Sequence, residues 1–157
     1  MRVGIGYDVH QLVADRPLIL GGIVVPHHLG LLGHSDADVL THAIMDAILG
    51  ALGKGDIGKH FPDTSSLYKD ISSIELLKQV KALMLESNYE IGNLDATIVA
   101  QKPKLAPYIE AMKNLIAETL ACGIENVNIK ATTTERLGFE GQELGISSQA
   151  VVLLKSR

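Results

Sequence analysis

The sequence predicts a single α+β domain over residues 1–157, with a mixed β-sheet and helices packed on one of its faces. The length of 157 residues is typical of one hydrophobic core. Apolar residues make up 46% of the chain and aromatic residues only 4%, so the core is aliphatic. Segments of strand and helix periodicity follow in the order ββααβαββ, and strands at both ends with helices between them indicate one mixed sheet.

The first two strands are predicted to form a β-hairpin. Residues 2–12 alternate around β-branched and small side chains, and residues 18–25 form a second short apolar run. The sequence Asp15-Arg16-Pro17 lies between them and has the composition of a turn. A loop rich in glycine and histidine follows over residues 26–34.

The first helix is predicted over residues 36–52. Ser35, with Asp38 three residues later, has the form of a capping box, and apolar side chains recur at helical spacing after it. The stretch 53–73 mixes Gly, Lys, Asp, Pro and Ser without a sustained period, which predicts a long loop. Ordered loops of that length are often binding loops.

The rest of the chain alternates helices and strands. Ser72 and Glu75 open a second helix, which ends near Asn88. Gly123 is predicted to close the third helix. The remaining elements are a strand over 91–101, that third helix over 107–121, and two strands over 127–133 and 146–155.

Composition narrows the classes of partner. With 14 Lys and Arg against 18 Asp and Glu the formal net charge is −4, and the chain has no Trp, so a nucleic-acid partner is not expected. No apolar run has the length of a membrane span and no signal peptide is evident, so we expect a cytoplasmic protein or the mature form of a plastid one. The single cysteine, Cys122, fits a reducing compartment. The apolar excess suggests surface buried between subunits.

Asp8 and His10 are the first candidates for chemistry, because on a strand they share a face while Val9 points to the other. Asp38 and His42 share a face of the predicted helix, where the acid can orient the imidazole. If His42 meets Asp8 and His10 in space, the three ligands leave one position open, as in catalytic zinc sites. Capping and helix-dipole roles explain the acids equally well, and spacing alone leaves both interpretations open.

Three further segments carry polar groups that suit phosphate. Residues 53–64 combine glycines with two lysines and two aspartates but lack the P-loop pattern, so a solvated connection explains them equally well. In 130–139 three threonines precede Glu135, a set that suits phosphate oxygens and Mg²⁺ or simply a strand. Residues 101–108 contain two prolines that fix a bend, either a pocket wall or a structural turn.

Five motifs stand in order along the chain. They are Asp8-Val9-His10, Gly33-His34-Ser35-Asp36-Ala37-Asp38-Val39-Leu40-Thr41-His42-Ala43, Gly55-Asp56-Ile57-Gly58 with Phe61-Pro62-Asp63-Thr64, Gln101-Lys102-Pro103-Lys104-Leu105, and Ala131-Thr132-Thr133-Thr134-Glu135. Any one of them is a weak signal. Together, over essentially the whole chain, they resemble the 2-C-methyl-D-erythritol 2,4-cyclodiphosphate synthase family.

The resemblance implies a phosphorus–oxygen lyase of the non-mevalonate (MEP) route to isoprenoid precursors. Such enzymes convert 4-diphosphocytidyl-2-C-methyl-D-erythritol 2-phosphate into the 2,4-cyclodiphosphate and CMP. The resemblance also implies a homotrimer with active sites between neighbouring subunits, while composition and hydropathy predict neither a nucleic-acid nor a membrane partner. Two rival functions stay open, a trimeric nucleotide-binding sensor and a metal-dependent phosphohydrolase.

The resemblance also assigns roles to individual residues. One Zn²⁺ per active site would be held by Asp8, His10 and His42. Glu135 would help hold a second ion, Mg²⁺ or Mn²⁺, with the substrate diphosphate, while His34 and Thr133 match positions assigned to transition-state stabilisation. Residues 100–106 with 132–134 resemble a cytidine pocket contributed by the adjacent subunit. The full set expected to bind substrate is Asp8, Val9, His10, His34, Ser35, Asp56, Ile57, Gly58, Phe61, Pro62, Asp63, Thr64, Ser65, Ala100, Gln101, Lys102, Pro103, Lys104, Leu105, Ala106, Thr132, Thr133, Thr134, Glu135, Phe139 and Gln142.

The chain departs from the usual family pattern in two places. Gln142 and Leu144 stand where many members carry Arg and Glu near the trimer axis. Because a possible anion-binding pair is lost, we hypothesise that binding of a regulatory isoprenyl diphosphate in the central cavity is weak or absent. The segment 65–73 also lacks the Asp-Pro form that is usual after Phe-Pro-Asp-Thr.

Overall fold

The computed structural model describes all residues from Met1 to Arg157 and shows a five-stranded sheet with helices on one face. In chain order the elements are β1 Arg2–Val13, β2 Leu18–Leu20, β3 Ile23–Val25, β4 Gly30–Leu31, α1 Val39–Leu52, α2 Ile57–His60, α3 Ser73–Glu86, β5 Tyr89–Val99, α4 Ile109–Leu120, β6 Val127–Thr132, α5 Gly138–Gly141 and β7 Gly145–Ser156. Single 3₁₀ turns cover Ser66–Tyr68, Ala106–Tyr108 and Ile124–Asn126. The predicted single-domain α+β class is confirmed.

The large sheet is mixed, as predicted. Its strand order is β4-β1-β7-β5-β6, with β7 antiparallel to both β1 and β5. The one parallel pair is β5 with β6, and the connection between them contains α4, as a parallel crossover requires. Alternate residues of β1, β5, β6 and β7 are buried on the same face, where α1, α3 and α4 pack.

The predicted hairpin between residues 2–12 and 18–25 is wrong. Strand β1 pairs with β7 along its length, from Arg2 opposite Leu154 to Gln11 opposite Gly145. Residues 18–25 instead fold back on themselves as β2 and β3. Gly21 and Gly22 lie between these strands with φ of 57° and 74°, and positive φ at both central residues is the requirement of a two-residue type I′ turn.

Helix α1 begins later than predicted, and its cap is not Ser35. Ala37 has a left-handed φ of 56°, so the chain cannot be helical before residue 38. Asp38 is the N-cap, because its side chain accepts a hydrogen bond from Thr41 N. The same buried carboxylate accepts from the backbone N–H groups of Gly21 and Gly22 at 2.9 and 2.7 Å. It therefore caps the helix and holds the β2–β3 turn.

The other helix ends follow the prediction in part. Helix α3 begins at Ser73 after the N-cap Ser72, and the stretch before it contains α2 and a 3₁₀ turn within the predicted loop. Helix α4 is not closed by Gly123. Ala121 closes the helix in the left-handed conformation. Its backbone N–H donates hydrogen bonds to Ala117 O and Glu118 O, which satisfies carbonyl groups of the last turn.

Helix α1 lies unusually close to β1, and two glycines make this approach possible. A Cβ added at Gly4 would lie 1.9 Å from Ala47 O, and one added at Gly6 would lie 1.9 Å from Ala43 O. Only a residue without a side chain fits at either position. The close packing brings the first turn of α1, with His42, directly over the face of β1 that carries Asp8.

The opposite face of the sheet carries exposed apolar side chains. Val3, Ile5 and Val151 are 69%, 71% and 45% exposed, and Tyr7 and Val9 extend the same surface. No helix of this chain covers them. Separately, none of the helices is both long enough and apolar enough to cross a membrane.

Candidate metal centre and ligand cavities

Asp8, His10 and His42 converge at the junction of β1 and α1. Asp8 Oδ2 lies 3.0 Å from His10 Nε2 and 3.0 Å from His42 Nδ1, and the two ring nitrogens are 3.2 Å apart. The strand period brings the first two side chains to one face, and the first turn of α1 supplies the third. One carboxylate oxygen and two imidazole nitrogens thus face one another in a half-buried position.

The surrounding hydrogen bonds determine which ring nitrogens carry protons. His10 Nδ1 is 2.7 Å from Leu32 O, and a carbonyl only accepts, so Nδ1 carries the proton and Nε2 a lone pair. His42 Nε2 is 2.9 Å from Ser73 Oγ, whose own proton goes to the Asp36 carboxylate. Nε2 of His42 therefore donates, which leaves its Nδ1 with a lone pair.

When both imidazoles are neutral, three lone pairs consequently point at one another with no proton between them. Such an arrangement is repulsive unless a cation occupies the centre, and two imidazoles with one carboxylate suit a borderline divalent metal such as zinc. The donor set therefore fits a metal ion, and it leaves one tetrahedral position for a further ligand. The chemistry of the residues supports the ligand set that the resemblance implied.

The electrostatics of the centre agree with this geometry. In the metal-free centre, where a ring proton can lie between the ligands, burial raises the pKa of Asp8, but hydrogen bonds and charge interactions with His10 and His42 together outweigh burial and lower it to about 2. Burial lowers the pKa of His10, but the hydrogen bond to Asp8, the charge of Asp8 and the contact with Leu32 O together outweigh burial, so the net shift is upward. Asp8 is thus ionised and ready to bind a cation at neutral pH.

The expected partnership between Asp38 and His42 is wrong. Asp38 points away from the metal centre, toward Thr41 and the β2–β3 turn. The partners of His42 Nε2 are Ser73 Oγ at 2.9 Å and Ser35 Oγ at 3.2 Å. The reason is that Asp38 is the N-cap of α1, so its carboxylate turns to the N–H and hydroxyl of Thr41 rather than to His42.

A cavity of about 230 Å³ opens beside the metal centre. His34 lies in its wall, where its Nε2 donates to Ser65 O at 3.0 Å. The lining residues are Asp8, His10, Gly33, His34, Ser35, His42, Ile57, Gly58, Phe61, Asp63, Tyr68 and Leu76. Three of the five sequence motifs therefore meet at this cavity.

A second cavity, of about 600 Å³, lies between the loop after β5 and the end of β6. It is lined by Ala100, Gln101, Lys102, Pro103, Lys104, Leu105, Ala106, Ile109, Ala131, Thr132 and Thr133. No metal-centre residue lines it, so within one chain the predicted cytidine-binding residues and the predicted metal ligands form two separate sites.

Several expected substrate-binding residues line neither cavity. Glu135 has a left-handed φ of 54°, and its carboxylate accepts from Thr133 Oγ1 at 3.2 Å, but it lies outside the cluster around Asp8. Asp56 is the N-cap of α2. The others are Val9 on the exposed sheet face, Pro62, Thr64 and Ser65 in the loop before α3, Thr134 beside Glu135, and Phe139 and Gln142 in and after α5.

Sequence reasoning missed Ser73 and Asp36 as partners of the metal centre. Asp36 was assigned to the start of the first helix and Ser73 to the end of the predicted loop 53–73, and the contact between them spans 37 positions. Tyr68 and Leu76 in the cavity wall were also missed. Tyr68 packs edge-on against Phe61, with ring centroids 5.4 Å apart, and no local pattern signals this contact.

The model of the YgbB family matches residues 1–155 of the chain. The chain belongs to the YgbB family. It is 66% identical over 154 residues to a protein of Desulfitobacterium hafniense, with 98% of each chain covered. It is 68% identical to a protein of Syntrophotalea carbinolica, with 98% of this chain and 94% of the other covered. Both relatives are named 2-C-methyl-D-erythritol 2,4-cyclodiphosphate synthase, so the resemblance found in the sequence motifs is confirmed.

Solved YgbB-like structures share the fold. The bifunctional IspDF of Campylobacter jejuni superposes with a TM-score of 0.96 at 45% identity, and this chain spans 99% of its own length but 42% of that longer chain. A complex of IspF from Plasmodium falciparum with CDP superposes with a TM-score of 0.88 at 34% identity, covering 99% of this chain and 96% of the other.

Proposed function

We propose that this YgbB-family chain converts 4-diphosphocytidyl-2-C-methyl-D-erythritol 2-phosphate into 2-C-methyl-D-erythritol 2,4-cyclodiphosphate and CMP. The observation that carries the proposal is the convergence of Asp8, His10 and His42 into a three-donor site beside a cavity. The names of the relatives at 66% and 68% identity state the product, and the sequence resemblance implies the substrate. The fit of the donor set to a divalent metal supplies the chemistry.

The reaction joins two phosphates of the same molecule. An oxygen of the 2-phosphate forms a bond to the β-phosphorus, and the bond from that phosphorus to the bridging oxygen breaks. The bridging oxygen leaves with the electron pair as part of CMP, so no water is consumed. Because the nucleophile and the leaving group belong to one substrate, catalysis consists of positioning and charge stabilisation.

The residues of this chain divide those tasks. Asp8, His10 and His42 would hold zinc, and Glu135 would help to hold Mg²⁺ or Mn²⁺ at the diphosphate. When bound, the ions would supply Lewis-acid neutralisation of charge on the phosphoryl oxygens. His34, held in the cavity wall by its hydrogen bond to Ser65 O, would orient the reacting phosphates. The chain's own net charge of −4 makes bound cations necessary for a substrate this anionic.

The proposal includes a homotrimer whose active sites lie between subunits. The cavity at the metal centre, about 230 Å³, is smaller than typical sites for ligands of this size. The second cavity, lined by residues 100–106 and 131–133, would bind cytidine for the metal centre of a neighbouring subunit. The exposed side chains of Val3, Ile5 and Val151 supply an apolar surface for such an assembly.

The test is to incubate purified protein with the diphosphocytidyl substrate, Zn²⁺ and Mg²⁺, and to follow phosphorus by ³¹P NMR. We expect CMP and a cyclic diphosphate to appear together, and His42→Ala to form neither. Release of inorganic phosphate would indicate a phosphohydrolase. Binding without turnover would indicate a nucleotide sensor, and either outcome would overturn the proposal.

A further inference from the structure

The side chains of Asp36, Ser73 and His42 form a buried series of hydrogen bonds on the side of His42 away from the metal centre. This series joins three segments of the fold. Ser73 is fully buried at the first position of α3. Its Oγ lies 2.9 Å from His42 Nε2 and also contacts Asp36 Oδ1. We propose, on the basis of the proposed function, that Ser73 is a positioning residue for the metal site and that Asp36 sets the direction of its hydrogen bond.

The direction of the two hydrogen bonds follows from the chemistry of the groups. An ionised carboxylate only accepts, so the single hydroxyl proton of Ser73 goes to Asp36. Ser73 Oγ then presents lone pairs to His42 and accepts the proton on Nε2. This leaves the lone pair on Nδ1, the nitrogen that lies 3.0 Å from Asp8 Oδ2. Asp36 therefore selects, through Ser73, the imidazole tautomer that binds a metal.

A purely structural role for Ser73 can be separated from this one. The backbone N–H of Ser73 also donates to Asp36 Oδ2 at 2.9 Å, and Asp36 N donates to Ile71 O at 3.1 Å. These backbone contacts attach the start of α3 to the segment before α1, and they do not use the Ser73 hydroxyl. Ser73→Ala therefore keeps the backbone attachment and removes only the two hydrogen bonds of the hydroxyl, to His42 and to Asp36.

Ser35 does not replace Ser73 in this arrangement. Its Oγ is farther from His42 Nε2, at 3.2 Å, and it also accepts from Ala37 N. No carboxylate accepts the hydroxyl proton of Ser35, so that hydroxyl is free to rotate and to donate as well as accept. Without Ser73, both tautomers of His42 become available and the ring loses its shorter hydrogen bond.

The test measures zinc affinity by competition with a chromophoric chelator in three proteins: the unsubstituted chain, Ser73→Ala and Ser72→Ala. Ser72 is a matched control, because its Oγ caps α3 by accepting from Ile74 N but does not contact His42. We expect Ser73→Ala to bind zinc about tenfold more weakly, as is usual when an outer-sphere partner of a metal-bound histidine is lost. Ser72→Ala should bind as the unsubstituted chain does, even where it unfolds at a lower temperature.

A second readout reports the hydrogen bond between His42 Nε2 and Ser73 Oγ. In the zinc-loaded protein labelled with ¹⁵N-histidine, we expect the Nε2 proton of His42 to exchange slowly with water in the unsubstituted chain. In Ser73→Ala it should exchange faster. If that variant does not fold, Asp36→Asn takes its place, since it weakens the acceptor while Ser73 stays, and the same direction of change is expected.

The outcomes separate this proposal from the proposed function. Zinc affinity within twofold of the unsubstituted chain in Ser73→Ala, or in Asp36→Asn where that variant replaces it, would overturn the positioning role alone. An equal loss in Ser72→Ala would assign the effect to the start of α3 and would also overturn it. Failure of the unsubstituted chain to bind zinc would overturn the metal centre of the proposed function, and this proposal with it.

Discussion

The close approach of α1 to β1 predicts that Gly6→Ala weakens the fold and the metal centre together. A Cβ at residue 6 would lie 1.9 Å from Ala43 O, whereas real Cβ atoms essentially never come within 3.0 Å of another heavy atom. A Cβ position is set by the backbone, so no change of rotamer relieves the overlap. Helix α1 must move away from β1 by about 1 Å to remove it.

That displacement acts directly on the metal ligands. His42 immediately precedes Ala43, so it moves with the helix while Asp8 and His10 stay on β1. Metal–ligand distances tolerate changes of only about 0.2 Å. We therefore expect Gly6→Ala to lose about 1–3 kcal/mol in the free energy of unfolding, as other overpacked cores do, and at least about tenfold in zinc affinity.

Gly50→Ala is the matched control, because the nearest atom to a Cβ there is Ile5 O at an ordinary 3.7 Å. It should stabilise the protein by about 0.5–1 kcal/mol, since glycine in a helix interior is unfavourable. Urea unfolding of the metal-free proteins and chelator competition measure the two effects. If Gly6→Ala unfolds at the same urea concentration as the unsubstituted chain and binds zinc equally well, the argument from close packing is wrong.

Three further predictions concern the metal centre and the surroundings of α5. His42→Ala should lose zinc and turnover together, whereas His34→Ala should keep a full equivalent of zinc by elemental analysis and lose only rate; zinc retained by His42→Ala would refute the ligand set. In the metal-free protein, Asp8 has a pKa of about 2 against 3.8 when unfolded, so its contribution of about 2 kcal/mol is present above pH 3.8 and is lost as the pH falls toward 2. Because the pKa of His10 is raised on folding, His10 adds to the free energy of unfolding below pH 6.5, and this contribution is lost as the pH rises through the folded pKa. Thermal unfolding should therefore show the greatest stabilisation by Asp8 and His10 between about pH 4 and 6.5. Asp8→Asn should abolish that maximum. Finally, Gln142→Arg should bind an isoprenyl diphosphate about tenfold more tightly than the unsubstituted chain in calorimetry, because it restores one charge-assisted contact; tight binding by the unsubstituted chain would contradict the hypothesis.

The parts of the fold that sequence reasoning predicted are those encoded locally. Periodicity located the long helices and strands, and Ser72 marked the start of α3 to the residue. The pairing of β1 with β7 is different, because its partners lie at opposite ends of the chain and no local pattern records their register. Because residues 18–25 are close in sequence, they were predicted as the partner of β1. The Gly21-Gly22 pair inside that segment is itself a signal for a hairpin within it.

The site shows the same division. Strand period alone brought Asp8 and His10 to one face, but the meeting with His42 depends on how closely α1 packs against β1. Ser73 could not be found from spacing, since a serine at the first position of a helix has a sufficient local explanation. Its second role follows from a contact with a residue 31 positions away.

Asp36 and Asp38 show why the local interpretation of the α1 start was incomplete. Both acids suit the positive end of a helix, and on that argument they are interchangeable. The left-handed Ala37 between them turns their side chains to different neighbours, so Asp38 holds the β2–β3 turn while Asp36 accepts from Ser73. Burial raises the pKa of Asp38, and the charge of Asp36 raises it further, so the arrangement works against Asp38 ionisation. The hydroxyl of Thr41 and the backbone N–H groups of Thr41 and Gly22 offset part of that effect, and because all of them bond the same carboxylate, the turn and the helix cap depend on one another.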